Sequence, residues 1–172
     1  MLTERHINAF MFTFASAILF VMIVATVLAE DIIGLDGTVG VIDHQVIWDS
    51  IDAFVGSVYL IGDLGCHQET ARSFMIGSSQ MPFCIRETMV FVGVIIGCTL
   101  LQFRPSFCSD YKRMIPLSFL LGCATLFEWL AQNYCGLDDL FLVGLSGMMT
   151  GVGGAFLLYS IIEAEVEFLN KG

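Results

Sequence analysis

AFMFTFASAILFVMIVATVLA, residues Ala9 to Ala29, is a run of 21 consecutive residues without a charged side chain. At 1.5 Å per residue, an α-helix of this length crosses a hydrocarbon core about 30 Å thick. The run is longer than the apolar region of a cleaved signal peptide, and Arg5 is the one Lys or Arg that precedes it. We therefore expect a retained transmembrane helix.

Three further apolar stretches follow, and we predict spans over residues 82–103, 114–133 and 140–162. Pro82 suits the first turn of a helix, because its missing N–H would have no intrahelical partner there. Residues 46–64 also have helical apolar spacing, but their uncharged part is too short to cross. The sequence thus predicts one polytopic domain over residues 1–172, an all-α integral membrane protein. It has four transmembrane helices and an extra amphipathic interfacial helix on the outer side.

The composition agrees with a membrane protein. Apolar residues make up 56% of the chain and charged residues 14%, against about 45–50% and 25% in soluble domains. The net charge of −10 repels a phosphate backbone, so we expect no nucleic-acid partner and the lipid bilayer as the main one. No hydrolase, metalloprotease, phosphate-loop or dinucleotide motif is present, so the sequence does not favour an enzyme.

The basic residues predict the orientation in the membrane. Four spans place five of the seven Lys and Arg residues on one side and only Arg72 and Arg86 on the other. Cytoplasmic loops carry the excess of positive charge. We therefore expect both termini in the cytoplasm, residues 30–81 outside, and the cell membrane as the location. If residues 46–64 formed a fifth span instead, one terminus would change sides.

A polar motif lies in GCHQETARSFMIGSSQMPFCIRETMVFVGVIIG, Gly65 to Gly97. In this stretch the chain resembles the uncharacterised membrane-protein family known as domain-of-unknown-function family 2085. The matching positions are Cys66-His67-Gln68, Arg72-Ser73-Phe74, Pro82, Cys84, Arg86, Thr88 and Gly93. Glu87 stands where the family usually has a second Cys, and Met89 where it has Gly.

The resemblance continues through Glu128-Trp-Leu-Ala-Gln132 and Ser146-Gly147-x-x-x-Gly151, and it covers about residues 59–156. It implies a helical membrane fold and carries no activity with it.

Three interpretations of this motif remain open. Cys66, His67, Cys84 and Glu87 form a Cys/His/Cys/Glu set compatible with tetrahedral Zn²⁺ or a similar transition-metal ion. Alternatively, Cys66 and Cys84 form a disulfide across 17 intervening residues, or a redox-active pair, in an oxidising outer compartment. The third interpretation is a structural cluster of hydrogen-bonded polar side chains.

The polar packing cluster of that third interpretation consists of Arg72, Arg86, Glu128 and Gln132. Glu128 lies inside the third span, where a carboxylate costs about 2.5–3.5 kcal/mol and needs an internal partner. Arg86 is the nearest predicted cation. Glu128 and Gln132 are four residues apart and share one helix face.

Small residues on the last helix predict close helix packing, at Gly144, Gly147, Gly151 and Gly154. Two functions follow as hypotheses. One is a membrane protein that binds or conducts a metal cation. The other is a non-catalytic structural or accessory subunit of a membrane complex or homo-oligomer, with a Cys66–Cys84 disulfide.

Overall fold

Four long helices carry most of the chain. The computed structural model describes residues 4–103 and 111–169. Its long helices are α1 (Glu4–Leu28), α4 (Ile85–Phe103), α5 (Tyr111–Cys135) and α6 (Leu140–Leu169), with two short helices between the first two. Each long helix is long and apolar enough to cross a membrane. The prediction of an all-α membrane protein with four spanning helices is confirmed.

The helix expected over residues 46–64 is divided into two. α2 covers Gln45–Trp48 and α3 covers Ala53–Gly65. Asp52 causes the break, because its Oδ1 accepts hydrogen bonds from Phe54 N at 2.9 Å and Val55 N at 3.3 Å and so caps a new helix. The 13 residues of α3 span about 20 Å, less than the hydrocarbon thickness. Its interfacial position stays a prediction.

A β-hairpin follows α3 and was not predicted. After a 3₁₀ turn at Thr70–Arg72, strands β1 (Ser73–Ile76) and β2 (Ser79–Cys84) pair antiparallel, with Ser73 opposite Cys84 and Ile76 opposite Ser79. The prediction that a helix starts at Pro82 is wrong, because Pro82 lies in β2 and α4 begins at Ile85. A two-stranded sheet has only edge strands, which tolerate a residue without an N–H donor.

Residues 17–88 form one compact unit, which we call the hairpin unit. Its apolar core comprises Ala25, Ile32, Leu35, Trp48, Val55, Val58 and Tyr59. Two fully buried glutamines attach the hairpin to this core. Gln68 Nε2 donates to Pro82 O at 2.9 Å, and Gln80 N donates to Ile32 O at 2.8 Å. Gly62 permits the close approach, because a Cβ there would overlap the Pro82 carbonyl.

Residues 1–16 and 89–172 belong to a second unit, which we call the helical unit and describe over residues 4–16, 89–103 and 111–169. α5 and α6 lie side by side, with Thr125 Oγ1 2.7 Å from Thr150 Oγ1. α4 approaches α6 where Gly93 faces the backbone of Met148 and Gly151. Such backbone contact is typical of helix pairs in lipid.

Candidate metal centre

Three elements of the hairpin unit bring metal-binding side chains to one point. Cys66 is the C-cap residue of α3, Cys84 ends β2, and Glu87 lies in the first turn of α4. The hairpin returns the chain over the intervening residues, so that the two cysteines become neighbours. One ligand atom from each of the three residues lies within 4.8 Å of the other two. We call these three residues the Cys–Cys–Glu centre.

One contact within the centre has the spacing of two ligands in a small coordination sphere. Cys66 Sγ lies 3.5 Å from Glu87 Oε2, and the Cys84 thiol contacts the same oxygen. In a tetrahedral site with Zn–S about 2.3 Å and Zn–O about 2.1 Å, sulfur and oxygen ligands lie about 3.6 Å apart. The spacing between Cys66 and Glu87 therefore fits two ligands of one ion.

Hydrogen bonds distinguish the two thiols. The Cys84 thiol donates to Cys66 sulfur, and backbone N–H groups of Gln68 and Cys84 also donate to it, the latter at 3.3 Å. These bonds stabilise the Cys66 thiolate and lower its pKa, although burial and the Glu87 charge oppose the shift. The pKa of Cys84 is raised by the bond it donates, by burial, and by the neighbouring negative charges.

The two thiols therefore differ in how readily each loses its proton. Without one, Cys66 loses its proton first and Cys84 keeps its proton, because a second thiolate would lie beside the first and beside Glu87. A bound divalent cation offsets this repulsion and displaces the proton from Cys84. Of the three side chains, Cys66 is buried, and Cys84 and Glu87 are half-buried, so the centre is partly exposed.

Cys66 and Cys84, both among the described residues, are free thiols in the structure. The predicted alternative of a disulfide between them is therefore not seen.

His67, the fourth predicted ligand, lies outside the centre. Its side chain is exposed, whereas its carbonyl oxygen accepts a hydrogen bond from Gly37 N at 2.8 Å. Cys66 has extended backbone angles, φ −144° and ψ 152°. Successive side chains of extended backbone point in opposite directions. A buried Cys66 therefore directs the next side chain away from the centre.

The residues of the predicted polar packing cluster lie in both units. In the hairpin unit, Arg72 Nε is 3.2 Å from Glu69 Oε2, and Arg86 is half-buried in the first turn of α4. In the helical unit, Glu128 and Gln132 are half-buried on α5, and Ser146 Oγ lies 3.5 Å from Glu128 Oε2. The pairing of Arg86 with Glu128 stays a prediction.

The four glycines predicted for helix packing differ in their surroundings. Gly144, Gly147 and Gly151 are buried, whereas Gly154 is exposed and has open space at its Cβ position. Sequence analysis missed the partner of Gly151 on α4, which is Gly93. Gly93 and Gly97 are four residues apart, and this spacing was the available signal.

A second polar group in the hairpin unit was also missed. Asp63 is fully buried at the end of α3 and accepts hydrogen bonds from Trp48 Nε1 at 3.0 Å and His44 N at 3.1 Å. His44 Nδ1 lies 3.2 Å from its other carboxylate oxygen. The available signal was the position of Asp63 at the end of an apolar helical run, where a carboxylate needs partners.

Comparison with known proteins agrees with the sequence motif. The model of a family described as "Predicted membrane protein (DUF2085)" matches residues 66–158, a range that contains the whole Cys–Cys–Glu centre. No curated protein and no solved structure matches the chain significantly.

Proposed function

The chain belongs to the DUF2085 family of predicted membrane proteins, and we propose that it binds a zinc-like transition-metal ion through Cys66, Cys84 and Glu87. The observation that carries the proposal is the convergence of three ligand atoms, from three different elements, within 4.8 Å of one another. The centre lies in the hairpin unit and depends on the return of the chain through β1 and β2.

The chemistry of the ligands selects the class of ion. Two thiolates are soft ligands that favour zinc and related transition metals, whereas magnesium and calcium prefer oxygen. A centre with three protein ligands leaves a fourth coordination position for water or another ligand. This composition is more typical of a site that exchanges ligands than of a closed structural site.

The proposed location of the centre rests on the two candidate spans that flank it in the sequence. α1 ends before the hairpin unit's loops, and α4 starts directly after Cys84. We expect the segment between these two candidate spans, with the centre in it, to lie on one side of the membrane, and the distribution of Lys and Arg predicts that this is the outer side. Conduction would need further ligand groups along the membrane path. Among the described residues, this is the one group of three such ligands, so the proposal is restricted to binding.

The first prediction concerns metal content. We expect detergent-purified protein to retain close to one equivalent of zinc and to bind Co²⁺ with thiolate-to-metal charge-transfer absorption. Cys66→Ala and Cys84→Ala each abolish that absorption. Glu87→Gln keeps it but weakens binding by about tenfold or more, because a neutral amide replaces one anionic ligand. Binding strengthens as pH rises, since the Cys84 proton must leave.

Two variants serve as controls. Cys135→Ala removes an exposed thiol at the end of α5 and should leave the metal content unchanged. His67→Ala should also retain the metal, because that side chain lies outside the centre. Equal metal content in wild type and in both cysteine variants would disprove the proposal. So would two thiols that react only after reduction and map to Cys66 and Cys84; this result would support the accessory-subunit alternative with a structural disulfide.

A further inference from the structure

A cavity of about 290 Å³ lies in the helical unit and shares no lining residue with the Cys–Cys–Glu centre. Its lining residues are Arg5, Asn8, Leu101, Gln102 and Tyr159. They belong to the first turns of α1, the last turn of α4, and the second half of α6. The volume is near the lower end of small-molecule sites. The cavity thus admits a ligand the size of a lipid headgroup.

Asn8 gives the cavity a specific hydrogen-bonding need. The residue is 5% exposed, and its Nδ2 donates to Cys98 O at 3.0 Å, which fixes the orientation of the amide. Its Oδ1 is buried and has no hydrogen-bond partner among the described residues. A buried acceptor without a partner costs about 1–3 kcal/mol. A ligand that donates a hydrogen bond to Oδ1 would remove this cost.

Arg5 gives the cavity a positive charge. Its side chain is exposed at the cavity, and no hydrogen bond or ion pair of Arg5 is found within the described parts of the chain. A guanidinium group offers several N–H donors in a geometry that suits phosphate oxygens. Asn8 lies three residues further along α1, on the same helix face. Together they complement a ligand that combines a phosphate anion with a nearby hydroxyl or ammonium donor.

The position of the cavity identifies the source of such a ligand. Arg5 starts one candidate span, and Gln102 is the penultimate residue of another. The ends of spanning helices lie at the level of the lipid headgroups, and basic pockets between such ends bind anionic headgroups. We propose that this cavity binds the headgroup of an anionic phospholipid that also carries a hydroxyl donor, with Arg5 on the phosphate and Asn8 Oδ1 accepting from the hydroxyl.

This lipid binding is the second prediction, and native mass spectrometry of the full-length protein in detergent measures it. The probes are phosphatidylglycerol, phosphatidylmethanol, phosphatidylcholine and inorganic phosphate. We expect wild type to bind phosphatidylglycerol most tightly, and Arg5→Gln to weaken it by about tenfold, the loss expected for one charge-assisted hydrogen bond. Lys112→Gln is the matched control. It removes an exposed cation at the start of α5 that does not line the cavity, and should change the affinity by less than about twofold.

The hydroxyl donor is tested separately. Phosphatidylmethanol has the same charge as phosphatidylglycerol but no free hydroxyl, so wild type should bind it several-fold more weakly, and Asn8→Ala should remove that difference. If millimolar inorganic phosphate displaces the lipid, the natural ligand of the cavity would be a soluble phosphate compound instead of a lipid. Equal losses in Arg5→Gln and Lys112→Gln would overturn the proposal, since they indicate unspecific charge attraction. Unchanged binding in Arg5→Gln would overturn it too. Because Arg5 is exposed, that variant is expected to fold.

Discussion

The buried carboxylate of Asp63 connects two segments of the hairpin unit that precede the Cys–Cys–Glu centre. Asp63 lies three residues before Cys66, and it joins α3 to His44 and Trp48 of the preceding segment. Burial raises the pKa of this carboxyl group, but the hydrogen bonds from Trp48 and His44 outweigh burial and lower the pKa below the ordinary value of 3.8. The carboxylate form is therefore the one that stabilises the fold.

This residue gives the third prediction. Asp63→Asn should lower the free energy of unfolding by about 2 kcal/mol, because a neutral amide replaces the charged acceptor of the Trp48 and His44 bonds. Thermal unfolding in detergent, followed by tryptophan fluorescence, measures the loss. Asp49→Asn is the control, since Asp49 is exposed and keeps an oxygen that accepts from Gln45 Nε2.

The same residue determines an acid dependence. A folded-state pKa below 3.8 means that the stabilisation by Asp63 is complete above the ordinary pKa. It is lost as the pH falls below 3.8 through the folded pKa. Wild type should thus lose more stability than Asp63→Asn in that acid range. Equal acid sensitivity of the two proteins would contradict the assignment.

At the scale of elements, the packing of α4 on α6 depends on two glycines that face each other. A Cβ on Gly151 would overlap the Val90 carbonyl of α4, and a Cβ on Gly93 would overlap the Met148 carbonyl of α6. Neither obstacle is a flexible side chain. An added methyl group must therefore move one helix away from the other.

Gly151→Ala is the fourth prediction. We expect it to lower the stability by about 1–3 kcal/mol, the usual cost of overpacking. Gly154→Ala adds the same methyl group one turn away, where nothing lies within 4 Å, and helix propensity should make it neutral or stabilising by up to about 1 kcal/mol. Unfolding temperatures of the two variants in one detergent provide the comparison. Equal effects would show that the helices do not pack through Gly151.

The elements differ in how well the sequence predicts them. Long apolar runs predicted the four spanning helices, because a membrane span needs many consecutive uncharged residues. The hairpin was missed because β1 and β2 contain only four and six residues and their burial does not alternate cleanly. Pro82 fits both a helix start and an edge strand. Its hydrogen bond from Gln68, across 14 positions of sequence, is a long-range contact that local patterns do not contain.

In the candidate site, too, the sequence predicts the types of residue better than their three-dimensional arrangement. The types of residue were evident, since Cys66, Cys84 and Glu87 were all proposed as ligands. The exclusion of His67 was not, because it depends on the extended backbone at Cys66 and on the burial of that side chain. The partners of Asp63 were missed for a related reason. Trp48 and His44 reach it from 15 and 19 residues away.

For the whole molecule, the number of spans determines which side of the membrane each segment occupies. With four crossings, we expect both termini on one side of the membrane and the segment between α1 and α4 on the other, because α3 is too short to add a crossing. The proposed outer position of the metal centre and the proposed cytoplasmic headgroup site both depend on this topology.

The fifth prediction tests that topology with a membrane-impermeant maleimide on intact cells, read by peptide mass spectrometry. Cys135, exposed at the end of α5, should be labelled directly. New thiols in His6→Cys and Glu165→Cys, both at exposed positions near the two termini, should be labelled only after permeabilisation. Direct labelling of one terminal thiol alone would mean an odd number of crossings and would make the helix within residues 46–64 a span. Direct labelling of both terminal thiols, with Cys135 protected, would mean four spans in the opposite orientation. The expectation from the Lys and Arg residues, that the metal centre lies outside, would then be wrong.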